Sequence, residues 1–141
     1  MWKVKSKISD NLNNISEHLE FLGYEIEVAE RVRIASSKFY KTIIFYNYIP
    51  ESPNVTNFLF QTGVENKKLT FEMYEFINKI NVESFLANTH VEQQGQNIRI
   101  FSRAVYLGIY SKNLFTEFWY MYNSDIELLC GEEAGKLFID D

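Results

Sequence analysis

At 141 residues, 46% apolar and 16% aromatic, the chain can build one cored domain and is too apolar to stay disordered. A net charge of −5 argues against a general nucleic-acid or anionic-membrane binder. The single cysteine, Cys130, excludes an internal disulfide and fits a reducing compartment.

Ser6 to Leu22 reads as an amphipathic helix. Ile8, Leu12, Ile15, Leu19 and Leu22 recur at helical steps, and Asp10, Asn11, Asn13, Asn14, Glu17 and Glu20 face away. Gly23 is a natural stop. Tyr24 to Ile34 alternates Ile26, Val28, Val32 and Ile34 with Glu25, Glu27, Arg31 and Arg33, the pattern of one strand with one wet face. Ala35 to Lys38 is its turn. Phe39 to Ile49 is apolar on both faces: Phe39, Ile43, Phe45 and Ile49 on one, Tyr40, Ile44, Tyr46 and Tyr48 on the other. Such a strand lies under two layers or under a partner chain.

Pro50 to Asn54 breaks the strand, and Val55 to Gly63 forms the next one. Val64 to Leu69 leads to a helix capped by Thr70, with Phe71, Met73, Tyr74, Phe76, Ile77 and Ile80 as its apolar stripe. Glu75 precedes Lys79 by four residues, the favourable order for a surface ion pair. Asn78 and Asn81 stand where asparagine serves a helix end. Two strands follow. In the first, Phe85, Ala87, Thr89 and Val91 alternate with Leu86, Asn88, His90 and Glu92; in the second, Ile98 and Ile100 alternate with Arg99, Phe101 and Arg103. Gly95 supplies the turn between them. A last helix is capped by Ser111 or Asn113. It buries Leu114, Phe115, Phe118, Trp119, Tyr122, Ile126 and Leu129, and ends before Lys136 at Gly131 or Gly135.

The expected architecture is α+β, in the order α-βββ-α-ββ-α: one domain over residues 1–141, with three helices on one face of a five-stranded, mostly antiparallel sheet. That order, and the run Tyr74-Glu-Phe-Ile-Asn-Lys-Ile-Asn81 followed by Phe85, Gly95 and the Ile98 to Val105 strand, resembles the YbjN-like family, which shares the fold of the type III secretion chaperones of the CesT kind. The resemblance implies a small, often dimeric, non-catalytic domain that binds protein. It brings no catalytic residues.

Chemistry is sparse. His18, His90 and Cys130 give no metal-ligand spacing, and both histidines read as surface residues. Cys130, beside Leu128 and Leu129, reads as a small buried apolar residue. Gly131-Glu-Glu-Ala-Gly135-Lys136 imitates a phosphate loop. It is one residue short and places two carboxylates where phosphates would sit. No cofactor, metal or enzymatic activity is expected. No run is long and apolar enough to span a bilayer, and no signal peptide opens the chain, so a cytoplasmic protein without membrane or nucleic-acid partners is expected.

The apolar surplus points to a protein interface through Tyr40, Ile44, Tyr46, Tyr48, Tyr120 and Met121, serving a homodimer or a protein client. A second reading starts from the acids Asp125, Glu127, Glu132, Glu133, Asp140 and Asp141, which face Lys136 alone and hold the net charge. It makes the chain a small immunity-type protein engaging one basic partner. A third leaves an enzyme whose site forms only in three dimensions.

Overall fold

The computed structural model describes residues 10–37, 41–49 and 52–139. Among them are four helices and six strands: α1 (Asp10–Phe21), β1 (Glu25–Val28), β2 (Arg33–Ser36), β3 (Thr42–Ile49), β4 (Ser52–Val64), α2 (Phe71–Glu83), β5 (Asn88–Gln94), β6 (Asn97–Leu107), α3 (Lys112–Glu127) and α4 (Glu132–Phe138). The α+β class and its antiparallel sheet match the expectation; strand and helix counts each rise by one. The strand order is β1-β2-β3-β4-β6-β5, with β1·β2, β2·β3 and β5·β6 antiparallel.

The extra strand comes from Tyr24 to Ile34, which folds back on itself. Ala29 N–H donates to Val32 O at 3.0 Å across a two-residue turn of Glu30 and Arg31. Neither is a turn-former, so the alternation reads straight through. The register then puts Ala35, fully buried, beside Ile26, and moves Ile34 to the other face beside Glu27. Ala35 and Ser36, read as a turn, lie in β2. The extra helix comes from the chain end: α3 stops at Glu127 and α4 begins after Gly131, taking in Gly135 and Lys136.

The described chain divides into two compact units. One comprises residues up to Leu59 with Val105–Phe118; the other comprises Phe60–Ala104 with residues from Trp119 onward. In the first, α1 buries Ile15 and Leu19, as its periodicity predicts; Ser6 and Ile8 lie outside the described residues. Phe45 stacks on Phe58 at 5.4 Å, and Phe58 meets Phe118 at 5.1 Å. Tyr106 packs edge-on against Phe115 and Phe118 at 5.4 and 5.3 Å. Edge-to-face contact suits ring quadrupoles, so the many rings supply geometry as well as area.

Asn11, expected on the wet side of α1, is buried. Its amide donates to Gly108 O at 3.1 Å, and its carbonyl accepts from Tyr110 N–H at 2.6 Å. It thereby satisfies backbone groups of the β6–α3 connection.

In the second unit, Met73, Phe76, Ile77 and Ile80 of α2 pack with Ile98 and Ile100 of β6 and Ala134 and Phe138 of α4. Thr70 caps α2 as predicted, accepting from Met73 N–H at 3.3 Å. Phe71 and Tyr74, predicted in the stripe, are exposed. The buried set is narrower, confined to positions 73, 76, 77 and 80 of α2. Lys79, expected to pair with Glu75, reaches Glu133 of α4 at 3.4 Å.

The β5–β6 hairpin closes on Gly95-Gln96, with Gln94 opposite Asn97 and Gly95 at φ +63°. Glycine reaches that conformation without strain. Gly63 shows a different need: a Cβ there would lie 2.7 Å from Ile98 O and 2.5 Å from Arg99 Nη1. β4 and β6 therefore approach closely at this point.

Candidate protein interface

The residues expected to form an interface fall in different places. Tyr40 lies outside the described residues, as does the side chain of Tyr48, whose backbone is in β3. Ile44 and Tyr46 are half-buried on the side of β3 opposite the fully buried Ile43 and Phe45. Both belong to the first unit. Tyr120, 72% exposed, and Met121, half-buried, are in the second unit on α3.

The most strongly built apolar surface lies elsewhere in the second unit, where α2 turns into β5. Ser84 ends α2: its N–H and its hydroxyl both donate to Ile80 O, at 2.9 and 2.7 Å. The chain then crosses Asp125 of α3, which is 2% exposed. Its Oδ1 accepts from Phe85 N–H, and its Oδ2 from Leu86 and Ala87 N–H, all at 2.8 Å. Three charge-assisted bonds to one carboxylate hold three successive peptide groups, which leaves the loop little freedom. The side chains carried on this backbone point outward: Val82 is 86% exposed, Phe85 66% and Leu86 38%. Phe85, expected to begin the strand, precedes it. Met121 stands one helical turn before Asp125 on α3. The result is an apolar ledge presented by a clamped backbone.

Asn81 supports the far side of the loop. Its carbonyl accepts from Thr89 N–H at 2.7 Å and its amide donates to Thr89 O at 2.8 Å, as a neighbouring strand would. The helix-end asparagine thus serves the next strand, while Asn78 is exposed. Below the loop, Thr89 Oγ1 donates to Ser102 Oγ at 3.1 Å, and the fully buried Tyr122 hydroxyl donates to Ser102 O at 2.8 Å. Burial, with the nearby charge of Asp125, pushes the Tyr122 phenol far above its ordinary value.

The residues considered for chemistry are dispersed. His18 is half-buried rather than on the surface: its Nδ1 and the Tyr110 hydroxyl share a hydrogen bond at 2.7 Å, and its ring meets Phe115 edge-on at 5.0 Å. Burial, then the charge of Lys112, lowers its pKa. Burial, then Tyr106 and Glu17, raises that of Tyr110. His90 is exposed and stacks on Phe101 at 4.8 Å. Cys130 is exposed, against expectation, because the break between α3 and α4 turns it out of the core. Among the described residues no group of three or more His, Cys, Asp or Glu could hold a metal ion.

The fold is similar to that of YbjN from E. coli. That solved structure, described as a candidate transcription regulator, matches with a TM-score of 0.66 over 90% of this chain and 93% of its own, at 14% identity. Identity at that level establishes shared fold alone. No family model matches the chain, and no curated protein matches it. No helix among the described residues is long and apolar enough to cross a membrane.

Proposed function

We propose that the chain is a non-enzymatic protein-binding module that forms a homodimer through the Val82, Phe85 and Leu86 ledge, with Met121 at its margin. The observation that carries this reading is the combination of exposure and restraint at one loop. Here three bonds from Asp125 hold Phe85 and Leu86 outward. A pre-ordered surface loses less entropy on binding, so a small anchor cluster can carry most of an interface.

The alternative reading, a basic partner held by the acidic chain end, has less support. Asp125 is committed internally, Glu133 pairs with Lys79, and Glu132 pairs with Lys136 at 3.5 Å. Size-exclusion with light scattering over a range of concentrations tests the dimer. Wild type associates, and the double variant Phe85→Ser with Leu86→Ser is monomeric with unchanged circular dichroism. A wild-type chain that stays monomeric at every concentration removes the proposal.

A further inference from the structure

The sheet has two end strands, β1 and β5, and they are finished differently. On β5, the N–H and C=O of Thr89 face away from β6, and the Asn81 amide takes both. Nearer the hairpin turn, the Gln93 side chain ties in the segment before α2, donating to Lys67 O at 3.0 Å and accepting from Leu69 N–H at 2.9 Å. α2 packs along the strand. An incoming strand therefore meets an edge whose first anchoring residue is already bonded.

Among the described residues no side chain bonds to the outer edge of β1, although α1 packs against the strand. The Ala29–Val32 bond makes that pair a bonded one, so Glu27–Ile34 and Glu25–Ser36 are the next bonded pairs along the ladder. The β2–β3 ladder gives the same parity: Ser37 N–H donates to Lys41 O at 2.9 Å, so Ile34 and Ser36 turn toward β1. The N–H and C=O of Ile26 and Val28 consequently face outward, and no hydrogen bond to either residue's outer side is present among the described residues. The side chains carry a pattern of their own. Glu25 and Glu27 are exposed on one face, opposite Ser36 and Ile34, with no cation across from either. Ile26 and Val28 occupy the other face, and Val28 is 68% exposed.

We infer that the β1 edge accepts an extended segment of a second protein in which basic and apolar residues alternate. Its main chain bonds to Ile26 and Val28, its cations stand beside Glu25 and Glu27, and its apolar side chains extend the face of Ile26 and Val28. The charge pattern selects against the pairing of β1 with β1 of a second copy in which Ile26 stands opposite Ile26. That pairing would set Glu25 against Glu27 and Glu27 against Glu25, and like charges across a ladder are destabilising. This inference rests on the reading of the chain as a protein-binding module, at a surface separate from the ledge.

The test uses the full chain, isotope-labelled for NMR, and two synthetic peptides: Thr-Lys-Val-Lys-Val-Lys-Thr, and its counterpart with Glu for every Lys. The Lys peptide binds saturably, shifts the Ile26 and Val28 amides and slows their exchange, and weakens with salt. Glu25→Lys with Glu27→Lys lowers its affinity by at least about tenfold and reverses the preference toward the Glu peptide. Ile26→Pro removes an outward N–H at a position where an edge strand tolerates proline, and lowers affinity by a similar factor with circular dichroism unchanged. No binding, equal binding of both peptides, shifts confined to residues 82–87, or an Ile26→Pro variant of full affinity would each overturn the assignment. Light scattering on the same samples reports the dimer independently, so loss of peptide binding from an intact dimer condemns this site alone.

Discussion

Replacing Asp125 by Ala removes the acceptor of three backbone donors at once. The cost differs along the loop. Phe85 and Leu86 are exposed, so water can reach their freed N–H groups and only the net worth of each bond is lost. Ala87 is 7% exposed, so its N–H stays buried without a partner. Bonds to a charged acceptor contribute about 1.5–3 kcal/mol, and an orphaned buried donor costs about 1–3 kcal/mol, with non-additivity inside one cluster. The expected loss is about 3 kcal/mol. Asp125→Asn costs less, about 1–2 kcal/mol, because its remaining oxygen can keep the Leu86 and Ala87 bonds while its NH₂ opposes only the rehydrated Phe85 N–H. Residue-resolved hydrogen exchange is the appropriate assay, since the two units need not open together. The Ala87 amide in Asp125→Ala should exchange about a hundredfold faster than in wild type under conditions where exchange reports the opening equilibrium. An acceleration below about threefold would show that the clamp is not what holds the loop.

Gly63→Ala forces a Cβ against the Ile98 carbonyl, which is backbone and cannot swing aside, so denaturant melts should show a loss of about 1–3 kcal/mol. Asn81→Ala removes both bonds to Thr89 and should cost about 1–2 kcal/mol. It also bares the β5 edge, so light scattering should show stronger self-association than wild type. The lowered pKa of His18 sets a pH dependence: the unfolded chain binds the proton more readily, so the contribution is complete above the ordinary value near 6.5 and is lost as pH falls through the lower folded value. Unfolding free energy measured between pH 7.5 and 5 should therefore decline less steeply in His18→Gln than in wild type.

Local chemistry is readable from the sequence. Thr70 as an N-cap, Gly95 in a hairpin turn, and the burial of Leu12, Ile15 and Leu19 are each determined by residues within a few positions of one another, whereas Leu22 at the end of that stripe is exposed. Failures came where a partner is distant in the chain. Asn11 bonds to residues 97 and 99 positions away, and Asp125 to residues 38 to 40 away. No periodicity carries such pairings, so Asn11 and Asp125 looked like two more polar surface residues. By sequence Asp125 belongs with an acidic tail; in the structure it anchors the ledge. The parity of Phe85 fits the following strand, but three N–H bonds to Asp125 stop the ladder short of it. The β1–β2 turn is invisible to the pattern because Glu30 and Arg31 carry no turn signature and two inserted residues preserve the apparent alternation. Burial of Met73, Phe76, Ile77 and Ile80 was legible as a stripe, whereas its limits, which expose Phe71 and Tyr74, depend on what packs against it.

Hydrogen exchange of residues 82–87, followed at low and at high protein concentration, bears most directly on the ledge as a protein-binding surface. Slower exchange of these amides at high concentration, with amides at residues 98–102 unchanged, is the predicted result. Exchange that is independent of concentration throughout the loop, while the chain is dimeric by light scattering, would place the contact elsewhere and contradict the account.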